Sequence, residues 1–331
     1  MKIMVKRTTR TFQMSSMNQE RGDTMKIHKA VVTGGAGFIG SHLVERLVAS
    51  GIDVTVIDNF QAGKKANLSS VAERITVVEG DVRDSTVVNQ GIADTDVVFH
   101  LAANASVPYS VENPRYDFET NAVGTFNVLE AARHTDVQKV VYASSAAVYG
   151  EPVYTPIDER HPVNPVSPYG VSKLAGEMYG TTFNTMYGLT FSALRIFNTY
   201  GPRQPRYVMY DLLEKLRETP RSLEVLGTGA QIRDYCYVSD MVNALTLAAQ
   251  KGEGVYNAAS GSPTSIREVA EFIVAHVSPG AAITYTGTSW KGDITTLTAD
   301  ITHLKTIGFA PKVSLPEGIK KMIQWFDKSP H

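Results

Sequence analysis

The sequence predicts an α/β chain: a doubly wound parallel sheet covered by helices, followed by a smaller mixed α/β lobe. Three observations carry this. Short β-branched runs alternate with amphipathic stretches up to about residue 200. A glycine-rich turn joins the first such run to the first amphipathic stretch. Beyond Gly201 the alternation weakens into short strands mixed with helices. Strand-helix alternation of this length is the signature of a parallel sheet wrapped on both faces.

The elements follow in order. Residues 30–33 form an apolar strand, and residues 38–50 carry Ile39, Leu43, Val44, Leu47 and Val48 at helical spacing. Residues 54–57, 75–79, 97–101, 139–143 and 190–196 read as further strands. Helices between them include 116–133 and 169–187, and the proline-rich stretch 152–168 reads as a surface loop over a cleft. Later, 223–226 and 283–285 read as strands, and 207–218, 239–250 and 265–277 as helices. Three regions are expected: a disordered N-terminal extension over 1–25, a dinucleotide-binding domain over 26–200 and a substrate-binding lobe over 201–331.

Bulk properties exclude several classes. A chain of 331 residues, 43% of them hydrophobic, can bury a large core. A net charge of −1 without a basic stripe argues against nucleic-acid or anionic-membrane partners. No apolar run approaches the roughly 20 residues of a membrane span. Residues 1–24 are polar, carry Lys2, Lys6, Arg7 and Arg10, and lack a signal-peptide core. Cys236 is the one cysteine, so no internal disulfide can form, which fits the cytoplasmic location expected here. The eight histidines show no metal-ligand spacing, and no metal is expected.

Two motifs carry chemistry. Thr33-Gly34-Gly35-Ala36-Gly37-Phe38-Ile39-Gly40 lies between strand and helix, where glycines permit a tight turn and close approach of a pyrophosphate to a helix N-terminus. Asp58 ends the second strand, where a carboxylate accepts from a ribose 2′-hydroxyl and repels a 2′-phosphate, so NAD is expected rather than NADP. Tyr169 and Lys173 are four residues apart on one helical face. A lysine ammonium beside a phenol favours the phenolate, making Tyr169 a usable base and implying redox chemistry on an alcohol, with Ser145 between the two motifs.

The fingerprint, Asp81-Val82, His100-Leu101-Ala102-Ala103, Asn121, Ser144-Ser145-Ala146-Ala147-Val148-Tyr149-Gly150 and Tyr169-x-x-x-Lys173 occur in order. Together they resemble the extended short-chain dehydrogenases/reductases of the nucleotide-sugar epimerase group, most like the UDP-glucose 4-epimerases, from about Lys26 to the C-terminus. The resemblance implies a Rossmann sheet in which Gly34, Gly37, Phe38, Ile39 and Gly40 form the pyrophosphate turn. It puts Asp58 and Asn59 on the adenosine ribose, Asp81 and Val82 at the adenine, and Leu101, Ala102, Ala103 and Asn121 along the cofactor. Ser145, Tyr169 and Lys173 take the catalytic positions, with Lys173 also on the nicotinamide ribose and Ser145 also on the substrate. In the second lobe it implies Asn198 and Arg233 on a substrate diphosphate, Leu226 against the nucleotide base, and Asp293 and Leu297 on the substrate side. For Arg233, an ion pair with Asp234 or Asp240 is the competing reading.

Two departures stand out. Many relatives carry Arg-Pro-Gly-Asp late in the chain, where this one has Trp290-Lys291-Gly292-Asp293, leaving Lys291, Arg203 or Arg206 to supply the charge. Ala105 stands where some epimerases carry a lysine. Dehydratases and decarboxylases of this fold carry acids where this chain has Ala146 and Ala147, and a methyl group cannot shuttle a proton. The resemblance therefore implies NAD-dependent 4-epimerisation of a UDP-hexose through a 4-keto sugar, in a homodimer. A UDP-uronate 4-epimerase, a 4-keto reductase and a non-catalytic NAD-binding regulator are the alternatives.

Overall fold

The computed structural model describes residues 24–288 and 294–328; the expected extension before Thr24, together with Trp290, Lys291 and Asp293, lies outside the described residues. The strands of the large sheet are β1 (Lys29–Thr33), β2 (Asp53–Asp58), β3 (Ile75–Glu79), β4 (Val97–His100), β5 (Lys139–Ser145), β6 (Thr190–Ile196) and, after three strands of the lobe, β10 (Gly254–Ala258). All pair in parallel in the order β10-β6-β5-β4-β1-β2-β3. Order reverses between β1 and β4, the point where such sheets open a crevice.

Alternation within each strand splits the core in two. Val32 and Val141 point into the cluster with Leu43, Val44 and Leu47 of α1 (Phe38–Ala49). Their neighbours Val31 and Val140 point into the opposite cluster, with Val88 and Ile92 of α2 (Ser85–Ile92). Period-two strands with both faces apolar need a helix layer on each side, and the chain supplies both. After β4 come α3 (Val107–Glu112) and a single turn, α4 (Pro114–Asp117). The expected helix 116–133 is not one α-helix. A π-helical segment, Phe118–Val123, precedes α5 (Gly124–Arg133), and its wider turn shifts the face that Asn121 presents. The long α6 (Pro168–Tyr187) starts at Ser167, whose hydroxyl caps Gly170 N–H, and stops at Gly188 in the left-handed conformation.

The lobe contains β7 (Asn198–Tyr200), α7 (Val208–Glu218), β8 (Ser222–Val225), β9 (Ile232–Tyr237), β11 (Pro263–Ser265), α9 (Ile266–Val277), β12 (Ala282–Tyr285) and β13 (Thr296–Leu297). Strand β9 is central, pairing β7, β11 and β13, while β8 pairs β12. The lobe has its own core, in which Leu212, Leu216, Leu223, Ile273 and Phe326 meet, the last from α11 (Leu315–Lys328). A cut after residue 200 does not describe the packing. The chain returns to the large sheet through α8 (Val238–Lys251), whose Met241, Leu245 and Ala248 pack with α1, and then through β10 beside β6. The edge of β6 is otherwise an unpaired row of peptide groups, and only a strand can pair it. No local signal in the sequence marks residues 254–258 as a strand.

Candidate active site

The fingerprint turn is built by backbone. Gly34 adopts φ +71° and donates to Ile57 O at 2.8 Å. A Cβ at Gly34 would lie 2.7 Å from Ala102 N, and one at Gly40 would lie 2.1 Å from Gly34 O. Gly37 caps α1 with no side-chain bond and no acid follows in the first turn, so the N–H groups of Phe38, Ile39 and Gly40 face the cleft as an anion site. This cradle, which a single methyl group would fill, fits a dinucleotide pyrophosphate.

Next to it, the two oxygens of Asp58 accept from Ala36 N–H at 2.9 Å and Phe60 N–H at 2.8 Å, which orients the carboxylate at the end of β2. Burial raises its pKa and those two bonds lower it. Asn59 donates to Asp81 at 2.8 Å. Arg83 forks onto Asp81 at 2.9 and 2.7 Å and is the main cause holding that carboxyl down at about 2. Val82 is buried against Gly124. Asp58, Asn59, Asp81 and Val82 therefore converge at the ends of β2 and β3. No motif in the sequence marks Arg83, which also stacks on Tyr116, 5.2 Å to the ring centroid.

Leu101, Ala102 and Ala103 leave β4 beside the turn, tied by Ala102 N–H to Thr33 Oγ1 at 3.2 Å. Beneath them His100 is buried, with Nδ1 2.7 Å from Thr33 Oγ1 and Nε2 2.9 Å from Thr125 Oγ1. The Thr125 hydroxyl donates to Asn121 O, so Nε2–H donates to Thr125 and Nδ1 accepts from Thr33. Burial, and then the charge of Lys173, push the His100 pKa down to about 3, so it is a neutral link and not an acid.

At the other end, β5 and α6 bring Ser145, Tyr169 and Lys173 together. Ser145 acts on the half-buried Tyr169 phenol to favour the phenolate, and accepts from Ala147 N–H at 3.2 Å. Lys173 is buried, donates to Ala143 O at 2.9 Å and stands 5.9 Å from the Tyr169 ring centroid. The pKa effect expected from the pair's spacing is overridden by burial. Desolvation pushes Tyr169 well above its ordinary value and Lys173 down to about 8, because each charge leaves water. Arg206 pulls Tyr169 back down, and Asp117 and Glu177 support the Lys173 charge.

No motif in the sequence marks Asp117. It is fully buried and accepts from Asn104 Nδ2 at 2.7 Å, Asn121 Nδ2 at 3.1 Å and Ser172 Oγ at 2.7 Å. Asn121 also donates to Asn104 O at 3.0 Å and accepts from Asn104 N–H at 2.8 Å. It thus ties the loop after β4 to the helix bearing Tyr169. Glu177 is equally buried and paired with Arg195 at 2.8 Å, a structural ion pair.

On the lobe side, β9 gathers the expected substrate residues. Asn198 stands opposite Tyr235, and Leu297 opposite Arg233. Asn198 Oδ1 is buried with no hydrogen-bond partner among the described residues. Arg233 donates to Ile232 O at 2.9 Å. Its suggested partners are held elsewhere, Asp234 by Ser260 and Gly261, Asp240 by the Lys312 and Val313 N–H groups. Leu226 lies just past β8 and is exposed. Of the arginines considered for the late phosphate charge, Arg203 is committed to Glu45 at 2.6 Å, and Arg206 lies beside Tyr207.

Comparison with known proteins agrees with this geometry. The model of the GDP-mannose 4,6 dehydratase family matches residues 31–322. A putative UDP-glucose 4-epimerase of Methanocaldococcus jannaschii is 39% identical over 301 residues, 89% of this chain and 97% of that protein. A UDP-N-acetylglucosamine 4-epimerase from Methanobrevibacter ruminantium, solved with UDP-N-acetylmuramic acid, superposes with TM-score 0.87 at 35% identity, covering 92% of this chain and 99% of the other. The UDP-glucose 4-epimerase of Thermus thermophilus, solved with NAD, gives TM-score 0.84 at 35% identity over 91% of this chain and 100% of the other. With its fingerprint turn, its Ser145-Tyr169-Lys173 site and these relatives, the chain belongs to the GDP-mannose 4,6 dehydratase family, in the nucleotide-sugar epimerase group of the extended short-chain dehydrogenases/reductases.

Proposed function

We propose that this protein catalyses NAD-dependent 4-epimerisation of a UDP-hexose, either UDP-glucose/UDP-galactose or the N-acetyl pair, through a transient 4-keto sugar. The observation that carries this is the half-buried Tyr169 phenol, one helical turn from the buried Lys173, with its pKa lowered by Ser145. The named activities of the relatives support the same reading.

When bound, NAD supplies the ring that accepts and returns hydrogen at C4. Tyr169 takes the proton of the sugar 4-hydroxyl and gives it back, and Ser145 stabilises the phenolate by donating to it. Lys173 has three N–H donors; one holds Ala143 O, and two serve the ribose hydroxyls. Because burial opposes the phenolate, Ser145 first and then the positive charge of Arg206 are what favour it.

Gly34, Gly37, Phe38, Ile39 and Gly40 hold the pyrophosphate, Asp58 and Asn59 the adenosine ribose, Asp81 and Val82 the adenine. Leu101, Ala102, Ala103 and Asn121 line the cofactor. Asn198 and Arg233 take the substrate diphosphate, Leu226 the nucleotide base, Asp293 and Leu297 the sugar side. A leucine at 297 leaves room for an N-acetyl group. Ala146 and Ala147 offer no acid near C5 and C6, which favours epimerisation over dehydration.

A homodimer and a cytoplasmic setting complete the reading. Supporting the dimer, Val171, Met178, Tyr179 and Met186 of α6 lie exposed beside Phe118 and Phe126. No helix among the described residues is long and apolar enough to cross a membrane.

Purified protein given UDP-glucose, UDP-galactose and their N-acetyl counterparts, without added NAD, should form a C4 epimer from at least one. No epimer from any of them would overturn the reading.

A further inference from the structure

Residues 201–207, which join β7 to α7, have an unusual backbone. Four non-glycine residues of the described chain have positive φ, and two are here: Arg203 at +71° and Tyr207 at +78°. A bulky aromatic residue in this region is a true outlier, held only where its surroundings over-determine it. The surroundings do so at both ends. His42 Nε2 lies 2.9 Å from Pro202 O, so the ring donates to the carbonyl. Arg203 donates to Ser41 Oγ at 3.1 Å and to Glu45 at 2.6 Å. All three partners lie on α1, the helix whose N-terminus forms the pyrophosphate site. At the far end the Tyr207 hydroxyl donates to Ala105 O at 2.7 Å.

Ala105 is itself between two fixed points. Asn104 is locked to Asn121 and Asp117. Ser106 caps α3, and Ser110 of that helix accepts the Tyr169 N–H at 3.2 Å. Contacts therefore run without a break from α1 through the strap to the backbone of the base.

We propose that residues 201–207 are a strap that clips to α1 through His42 and Arg203 and makes Tyr207 a positioning residue for Tyr169. The strap gives the cofactor helix a mechanical link to the base, with Arg206 carried along beside the phenol. No group of the strap exchanges a proton with substrate. The part concerning Tyr169 rests on the epimerase reading; the strap itself does not.

Two variants test it. Tyr207→Phe deletes only the bond to Ala105 and should cut kcat about tenfold while KM for the UDP-sugar stays within about twofold. Glu45→Gln weakens the clip. It should accelerate tryptic cleavage after Arg203 or Arg206 about tenfold or more, with Tm unchanged, because proteolysis reads the opened population. Combined, the two variants should cost less kcat than the product of their separate losses, since both act through one strap. Unchanged cleavage in Glu45→Gln overturns the strap whatever the substrate proves to be. Unchanged kcat in Tyr207→Phe, or full multiplicativity, overturns its link to the base. A wild-type protein that epimerises nothing overturns the epimerase reading alone, with the cleavage result still deciding the strap.

Discussion

Around the pyrophosphate turn the contacts are made by backbone and by absent side chains, whereas around Tyr169 they are made by buried polar side chains gathered from distant segments. Gly34 and Gly40 matter because a Cβ has nowhere to go. Asp117, Asn121 and Ser172 matter because each satisfies the others away from water. The difference teaches where each end is fragile: the first to added volume, the second to a lost partner or an unwanted charge.

The largest effect should come from the base end. Tyr169→Phe keeps the ring and the packing but removes the acid-base oxygen, so turnover should fall about 10²–10⁴-fold. Absorbance of the purified variant should still show bound NAD. Turnover within a few-fold of wild type would remove Tyr169 from the mechanism and erase the contrast between the two ends.

A smaller but structural effect should come from the cradle. Gly40→Ala places a methyl group against Gly34 O, and the turn has to move. A loss of about 1–3 kcal/mol in denaturant unfolding is expected, together with weakened NAD retention. If the variant binds NAD normally, the turn is not the tight backbone cradle described.

His100 joins the two ends, through Thr33 on one side and Thr125 on the other. Its pKa falls from about 6.5 in the unfolded chain to about 3 in the folded one, because burial and Lys173 disfavour the imidazolium. Between those values the unfolded state binds the extra proton, so stability is present above the window and is lost as pH falls through it. The slope approaches about 1.4 kcal/mol per pH unit, or about 2 kcal/mol by pH 5. His100→Gln, which keeps one donor and one acceptor, should flatten this acid limb in unfolding experiments at pH 7, 6 and 5. An unchanged slope would assign the acid sensitivity to other groups.

Much of this molecule was readable as a string. The strands from residue 30 to residue 196, the glycine turn and the Ser145-Tyr169-Lys173 set are contiguous patterns with local causes. The π-helical segment was not, because nothing in residues 116–133 separates a wider turn from an α-turn; the tertiary bonds of Asn121 accompany it. Strand β10 was not, because residues 254–258 make a strand only when the β6 edge lies beside them. Nor were the link of Asp117 to Ser172, that of Arg83 to Tyr116 or that of the strap to α1, whose sequence separations no spacing rule spans.

By itself the sequence determined the doubly wound sheet and the glycine turn, since helical and strand periods and backbone sterics act within a few residues, and it marked Tyr169 as the candidate base. Only the tertiary structure decided how that base is tuned. Adjacency on a helix argues for a lowered phenol pKa, yet desolvation raises it. Desolvation depends on everything packed around a group, not on its neighbours in the chain.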